Sequence, residues 1–486
     1  MEYIQELITI DKSSKVPVYL QIANAFVRQI RHGRLRKGAK LPGSRKLAGL
    51  LAVNRMTVVA AYEELQAQGW IDQKPRRGGF IRDELPELVP KPIDGAEAPF
   101  PPPKEIPFAI NDRLTVFPFI KTANSRLLAI DDGFPDTRLA PIEELSRSLR
   151  GLSKIPGYKK YLTYGDTKGS PALREVLADF LHHTRGLPVN TGNLLITRGA
   201  TMGLYLAART ITRPGDHVVM SEPGFGFARE LMQQLQLHIH KAPVDANGLD
   251  IDAVEQICKT RKIRFVYTVP HHHYPTTVTL PPERRIRLLA LAKTYNFAII
   301  EDDYDYDFHY TSMPMMPMAS IDRHGSVVYI GTLTKTLAPS IRVGFLTATE
   351  AFVNLVASYR KAVDFQGDAF VELAIASLYR DGIMEKHVKK SLKVYRARRD
   401  YFCGLLKNEI GSDIRFDVPG GGMSVWAEFR PDMEEMVRKA RKKGLVINRG
   451  NYYGAGEHPR NTTRMGFASL NSEEQERVVE IIKASM

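Results

Sequence analysis

Cysteine is scarce in this chain. Its 486 residues include two, Cys258 and Cys403, far apart in sequence. Two thiols cannot build a disulfide framework or a cysteine zinc site, and a reducing cytoplasm suits them best. No run of about 18 apolar residues occurs, so no helical membrane span is expected. The opening MEYIQELITIDKSSK has no basic stretch leading into an apolar one, so secretion is not expected either. Acidic residues are outnumbered, with 54 Asp and Glu against 68 Lys and Arg, a net charge of +14. That excess is uneven. Residues 1–85 hold 15 basic and 8 acidic side chains, a net of +7, so half the excess lies in less than a fifth of the chain. A compact basic segment suggests a polyanion as partner. The remaining composition, 43% hydrophobic and 25% charged, is that of a soluble protein with a large core, and the length implies two or three domains.

Residues 18–32 place Leu20, Ala23, Phe26, Val27 and Ile30 at helical spacing. In the stretch LPGSRKLAGLLAVNRMTVVAAYEELQAQGW, Ser44 can cap a short helix. Asn54, after a break at Ala52–Val53, can cap a second one carrying Val58, Ala61, Tyr62 and Leu65 inward. Gly69 ends that helix, and Trp70–Gln73 with Gly79–Arg82 reads as a hairpin whose tip is KPRRGG. Two short helices, a tight turn and a basic wing make a winged helix-turn-helix. On its LPGSR entry, VNRMTVVAAYEEL helix and GGF wing, the segment from about 10 to 82 resembles the GntR-type DNA-binding domain. The N-terminal end of the second helix would enter the major groove. Arg55 and Thr57 are candidates for base or phosphate contact there, and Ser44 and Arg45 for phosphate. Arg76 and Arg77 could reach phosphate or minor groove from the wing.

Eight prolines fall from Pro86 to Pro107, and residues 84–125 read as a locally stiff linker after a head of residues 1–83. From residue 126 onward, NLLITRG, HVVMSE, IRFVYTVP, FAIIEDDY and VVYIGT are short β-rich runs, mostly followed by helical stretches. That alternation predicts an open α/β fold with a mostly parallel sheet over about 126–395. GGGMSVWAEF, MEEMVRKARKKG and TTRMGFASL predict a smaller α+β part over about 396–486.

The run VVYIGTLTKTLAPSIRVG, residues 327–344, ends a buried strand in a hydroxyl-rich loop around Lys335. A lysine there can be desolvated and act as a Schiff-base nucleophile, although most lysines are solvated surface charges. Other strand ends carry unusual residues, which is where open α/β sheets bind ligands. Gly199, Ala200 and Thr201 form a strand-to-helix turn whose free amides suit phosphate. Asp302 and Tyr304 follow an apolar strand. Three histidines in TVPHHHYPTT alternate in direction, so at most two could share a metal, and His272 is the candidate for a ligand pocket. Phe225 lies on the loop SEPGFGFAR.

These pieces together resemble the fold-type I pyridoxal-phosphate enzymes, the aspartate-aminotransferase-like family, from about residue 126 to the C-terminus. With the winged head, the whole chain resembles MocR-type transcription regulators. The resemblance implies pyridoxal 5'-phosphate as cofactor, bound to Lys335 as an internal aldimine. It implies Asp302 on the pyridine nitrogen, Tyr304 on the ring hydroxyl, and Thr332, Thr334, Arg342 and the 199–201 turn on the phosphate. Phe225 would stack on the ring, and Arg464, in TTRMGF, would take an α-carboxylate. YLTYGDTKGSPALRE matches a segment that reaches a neighbouring subunit's site, with Tyr164 near its phosphate. A homodimer is implied, with each head over its partner's core. The family loop carries an Asn or Gln and ends Pro-Thr-Gly. Here His273, Tyr274 and Thr277 stand instead, while Phe227 and the Thr201–Met202 pair replace more polar residues. A less polar ligand-facing wall is therefore expected.

Two functions of different class fit. One is a cytoplasmic regulator that binds operator DNA and senses pyridoxal phosphate or an amino compound through exchange at Lys335. The other is a working aminotransferase acting on amino acids and 2-oxo acids, in which Lys335 also moves a proton. A carbanion-stabilising enzyme of another reaction type is a third, weaker possibility. The basic head on its tether favours the regulator.

Overall fold

The computed structural model describes residues 8–11, 13–74, 77–86, 104–109, 127–311, 315–448, 453 and 461–486. It divides into two compact units, Met1–Ala109 and Ile110–Met486. Most of the proline-rich stretch, and Arg76 at the wing tip, lie outside the described residues.

In the first unit, helix α1 (Val18–Arg31) precedes α2 (Ser44–Leu51) and α3 (Arg55–Ala67), and strands β1 (Ile71–Lys74) and β2 (Gly78–Ile81) form an antiparallel wing. One face of α1 buries Ile22, Phe26 and Ile30 against Leu47, Val58, Tyr62 and Leu65. The Asn54 side chain caps α3 by accepting from the Met56 amide at 2.8 Å. Ser44 does not cap α2. The capping position is Gly43, whose extended backbone (φ −60°, ψ 148°) starts the helix without a side-chain bond, and Ser44 is its first residue. Ala52, in the left-handed region (φ 51°), makes the turn between α2 and α3.

The second unit is built on an eight-stranded sheet of β3 (Leu194–Thr197), β4 (His217–Glu222), β5 (His238–Asp245), β6 (Gly248–Leu249), β7 (Ile263–Thr268), β8 (Ala298–Asp303), β9 (Val327–Thr332) and β10 (Gly344–Thr347). The spatial order is β3-β10-β9-β8-β7-β4-β5-β6. The β9–β8–β7–β4–β5 block is parallel, while β10 and β6 pair antiparallel with their neighbours. Its central strands are buried on both faces, as their continuous apolar runs require. Helix α4 (Ala200–Ile211) leaves β3 and α5 (Gly226–Gln234) follows β4. A three-stranded antiparallel sheet of β11 (Ile414–Phe416), β12 (Ser424–Phe429) and β13 (Thr462–Gly466) lies toward the C-terminus. Leu128–Ala129 pairs in parallel with Leu445–Val446. The segment after residue 126 is thus tied to the C-terminal part as well as to the large sheet.

Candidate ligand site

The parallel strands β7, β8 and β9 end at one side of the sheet, and a cavity of about 570 Å³ opens there. Lys335 lies three residues beyond β9 on its wall. Its Nζ donates to the Gly133 carbonyl at 2.6 Å and sits 4.4 Å from the centre of the Phe134 ring. Burial pushes this amine down to about 8, with Asp131 and Asp305 pulling the other way. Much of it is therefore uncharged near neutral pH, as a nucleophile must be.

Strand alternation sorts the acidic run at the end of β8. Asp302 faces the cavity, while its neighbours Glu301 and Asp303 turn to the other side. Glu301 accepts from the Met318 and Ala319 amides, and Asp303 from the Tyr329 hydroxyl. In the sheet register Tyr267 stands beside Ile300, two residues before Asp302 and on the same face. Its hydroxyl donates to Asp302 Oδ2 at 2.8 Å. Oδ1 is buried with no hydrogen-bond partner. Burial, opposed by the Tyr267 hydrogen bond, pushes the Asp302 carboxyl up to about 7.

The raised acid has a consequence for folding. Between the unfolded value near 3.8 and the folded value of about 7, the folded chain holds the extra proton, so stability falls as pH rises. In the ligand-free chain, Asp302→Asn should remove this slope, on the order of 1 kcal/mol per pH unit. Denaturant unfolding at pH 5 and pH 8 checks it: the variant gains on the native chain at the higher pH.

A polar cradle lies on another side of the cavity. Thr332 and Thr334 join hydroxyls at 2.8 Å, and Arg342 Nη1 donates to Thr334 Oγ1 at 3.4 Å. Arg342 has no carboxylate partner among the described residues, and its Nη2 holds the Arg198 carbonyl at 3.2 Å. Gly199 (φ +81°) comes so close that a Cβ there would lie 2.6 Å from Nη2. The amides of Ala200 and Thr201 open α4 beside it. A free guanidinium, two hydroxyls and a helix N-terminus are a donor set for a phosphate-sized dianion.

Phe225, Phe227, Tyr274 and Phe134 supply the apolar wall. Tyr304 lines the cavity, accepts from Arg464 Nη2 at 2.9 Å and donates to the His272 carbonyl at 3.1 Å. Arg464 itself is buried and lies outside the cavity lining. Its Nε donates to the Asp132 carbonyl at 2.9 Å and Nη1 to the Pro275 carbonyl at 2.8 Å. The expectation for His272 needs correction, since its ring points away from the cavity. Its Nδ1 meets Asp305 Oδ1 at 2.8 Å, and a Cβ at Gly421 would collide with the ring, so the imidazole fills a packed seam. His271 is taken by Asp303 and His273 by Ser221, so the three rings have three separate partners. Tyr164 is 81% exposed and stacks on Phe365, outside its own chain's cavity.

Sequence reasoning missed the segment from Asp131 to Phe134, together with Tyr267 and Asn448, all on the cavity wall. The signal available was the acidic pair before a glycine in DDGFPD. Gly133 is held at φ +94°, and a Cβ there would lie 2.7 Å from Ser424 Oγ, so only glycine lets the chain present its carbonyl to Lys335.

On the first unit, Arg45, Arg55 and Arg77 are exposed, and Ser44 and Thr57 are partly buried at the starts of α2 and α3. None of the three arginines has an ion-pair partner among the described residues.

Comparison with known proteins gives two matches along the chain. The family model described as aminotransferase class I and II matches residues 152–482. That of bacterial regulatory proteins, gntR family, matches residues 18–81. The HTH-type transcriptional regulator YhdI of Bacillus subtilis is 26% identical over 96% of this chain and 95% of its own length. The probable rhizopine catabolism regulatory protein MocR of Rhizobium meliloti is 25% identical over 91% of this chain and 88% of its own. Among solved structures, the kynurenine aminotransferase of Pyrococcus horikoshii in complex with PMP shares 28% identity at a TM-score of 0.68. That match covers 75% of this chain and 92% of that one. No helix among the described residues is long and apolar enough to cross a membrane.

Proposed function

Because the chain belongs to the aminotransferase class I and II family and carries a GntR-type head in front of it, the make-up of MocR-type regulators, we propose that it is a DNA-binding regulator whose larger unit binds pyridoxal phosphate and responds to it or to an amine. The observation that carries this reading is the unpartnered Oδ1 of Asp302, buried in the same cavity as Lys335. A buried carboxylate oxygen without a donor is costly unless a ligand supplies one, and a pyridinium N–H is such a donor. The phosphate-sized cradle at Arg342, Thr332, Thr334 and the start of α4 supports the same ligand.

When bound, the cofactor supplies an aldehyde that amines capture and a protonated ring that withdraws electrons. Lys335 would hold it covalently through Nζ. Asp302 would keep the ring nitrogen protonated, with Tyr267 fixing the orientation of the carboxylate. Tyr304 would face the ring hydroxyl, already positioned by Arg464. Phe225 would cover one ring face and keep water out. Tyr164, exposed on its own chain, would complete the phosphate site of a second copy in a homodimer. Occupancy of the cavity changes DNA binding only if the ligand binds two arrangements of the protein unequally.

An aminotransferase reading keeps one specific support. An amine at about 8 exists in both protonation states near neutral pH, which suits it to receive and return a proton. The regulator reading accounts in addition for the exposed arginines of the head, which catalysis does not use.

The test is an electrophoretic shift on the DNA upstream of the chain's own coding region, with and without pyridoxal phosphate. Wild-type protein should retard the fragment with a midpoint that the cofactor moves. Arg55→Ala should weaken binding by roughly tenfold or more, the scale of one lost base or phosphate contact, and lower the salt dependence. A midpoint indifferent to cofactor and amines would remove the sensing role.

A further inference from the structure

We propose that the cavity selects a primary amine bearing a second cationic group and no carboxylate, a short diamine, because the wall beside Lys335 presents the Asp132 carboxylate while the buried Arg464 guanidinium is turned toward protein acceptors. This assignment rests on the cofactor reading above and names the ligand class of that site.

Asp132 immediately precedes Gly133, whose carbonyl holds Lys335 Nζ, so its carboxylate borders the place where an incoming amine must arrive. Three neutral donors hold it. Tyr453 Oη donates to Oδ1 at 2.7 Å, Asn448 Nδ2 to Oδ1 at 3.2 Å and Tyr274 Oη to Oδ2 at 3.1 Å. No basic side chain among the described residues forms an ion pair with it. A carboxylate accepts about four hydrogen bonds, so Oδ2 keeps capacity for another donor. Hydroxyl and amide donors hold the group in place without neutralising it, and the charge remains for a ligand to meet.

A ligand carboxylate at the same wall would face Asp132 as a like charge. It would also need Arg464, which spends Nε, Nη1 and Nη2 on two backbone carbonyls and Tyr304 and does not line the cavity. A second ammonium would instead form a charge-assisted hydrogen bond with Asp132. The apolar lining between them, from Phe134 and Phe225, suits an alkyl spacer.

The test uses full-length protein loaded with pyridoxal phosphate and titrated with putrescine, cadaverine, n-butylamine and norvaline, followed by the cofactor's near-visible absorbance and by thermal unfolding. One of the two diamines should half-saturate at a concentration roughly tenfold or more below that of n-butylamine and of norvaline, the scale of one charge-assisted contact. In Asp132→Asn the diamine-to-butylamine ratio should fall close to one. The ratio is taken within each protein, so it can be read even if cofactor occupancy differs. Norvaline binding more tightly than both diamines, an unchanged ratio in Asp132→Asn, or no response to any amine by a loaded protein overturns the diamine assignment and leaves the cofactor reading standing. A chain that takes up no pyridoxal phosphate overturns both, and this is seen before any amine is added.

Discussion

Lys335→Ala should give a folded chain from which borohydride fixes no pyridoxal phosphate, where the native chain fixes one per subunit. The near-visible band of the bound cofactor should disappear with it. The expectation rests on position. Lys335 is the lysine on the cavity wall, its Nζ is held by a backbone carbonyl, and no carboxylate within ion-pair distance neutralises it among the described residues. Burial has brought the amine from 10.5 to about 8. The neutral amine is the reactive form, so capture of added cofactor by the stripped native protein should quicken with pH and level off near 8, well below the range of a solvated lysine. Stopped-flow absorbance across pH 6–9 reads this directly. A rate still rising steeply at pH 9 would place the amine in water. The variant should remain folded, because it gives up a buried amine whose charge the interior disfavours. One backbone carbonyl, that of Gly133, loses its donor at a cost of about 1 kcal/mol.

Arg464→Ala should instead destabilise the chain by about 3 kcal/mol or more, since it strips donors from two buried carbonyls and a buried tyrosine hydroxyl at once. Chemical denaturation of the ligand-free protein measures this. The result separates two roles. An arginine kept only to receive a ligand's carboxylate would leave ligand-free stability nearly unchanged. An arginine that ties the Asp132 segment, the Pro275 loop and Tyr304 together would not. Loosening Tyr304 should also weaken cofactor retention, because that hydroxyl faces the cavity and Arg464 fixes it from behind. Arg464→Lys should recover only part of the loss, as a single ammonium cannot reach three acceptors set around a planar fork.

The architecture was legible because it rests on local signals. Asn54 caps α3 as its side chain suggests, and helical and strand periods separate the winged head from the α/β unit. Ser44 was misread because the extended backbone of Gly43 starts α2 without needing a side-chain acceptor. His272 was misplaced for a different reason. Three consecutive histidines announce polarity, but which ring faces a ligand depends on where Asp303, Asp305 and Ser221 stand after folding. The less polar wall expected around the ligand is present in Phe225, Phe227 and Tyr274, yet the same wall carries Asp132, from a segment about two hundred residues away in sequence from Lys335.

By itself the sequence determined the order of parts: a basic winged head, a proline-rich stretch, and an α/β unit with a lysine, an acid, two threonines and an arginine at its strand ends. Periodicity, capping residues and charge are properties of neighbouring residues, so they can be read along the chain. Only the tertiary structure decided which groups have partners. It left one oxygen of Asp302 without a donor, gave Arg464 three protein acceptors, and set an uncompensated carboxylate beside Lys335. Hydrogen bonding and burial depend on what the fold brings together from distant positions, and those partners determine what the cavity can bind.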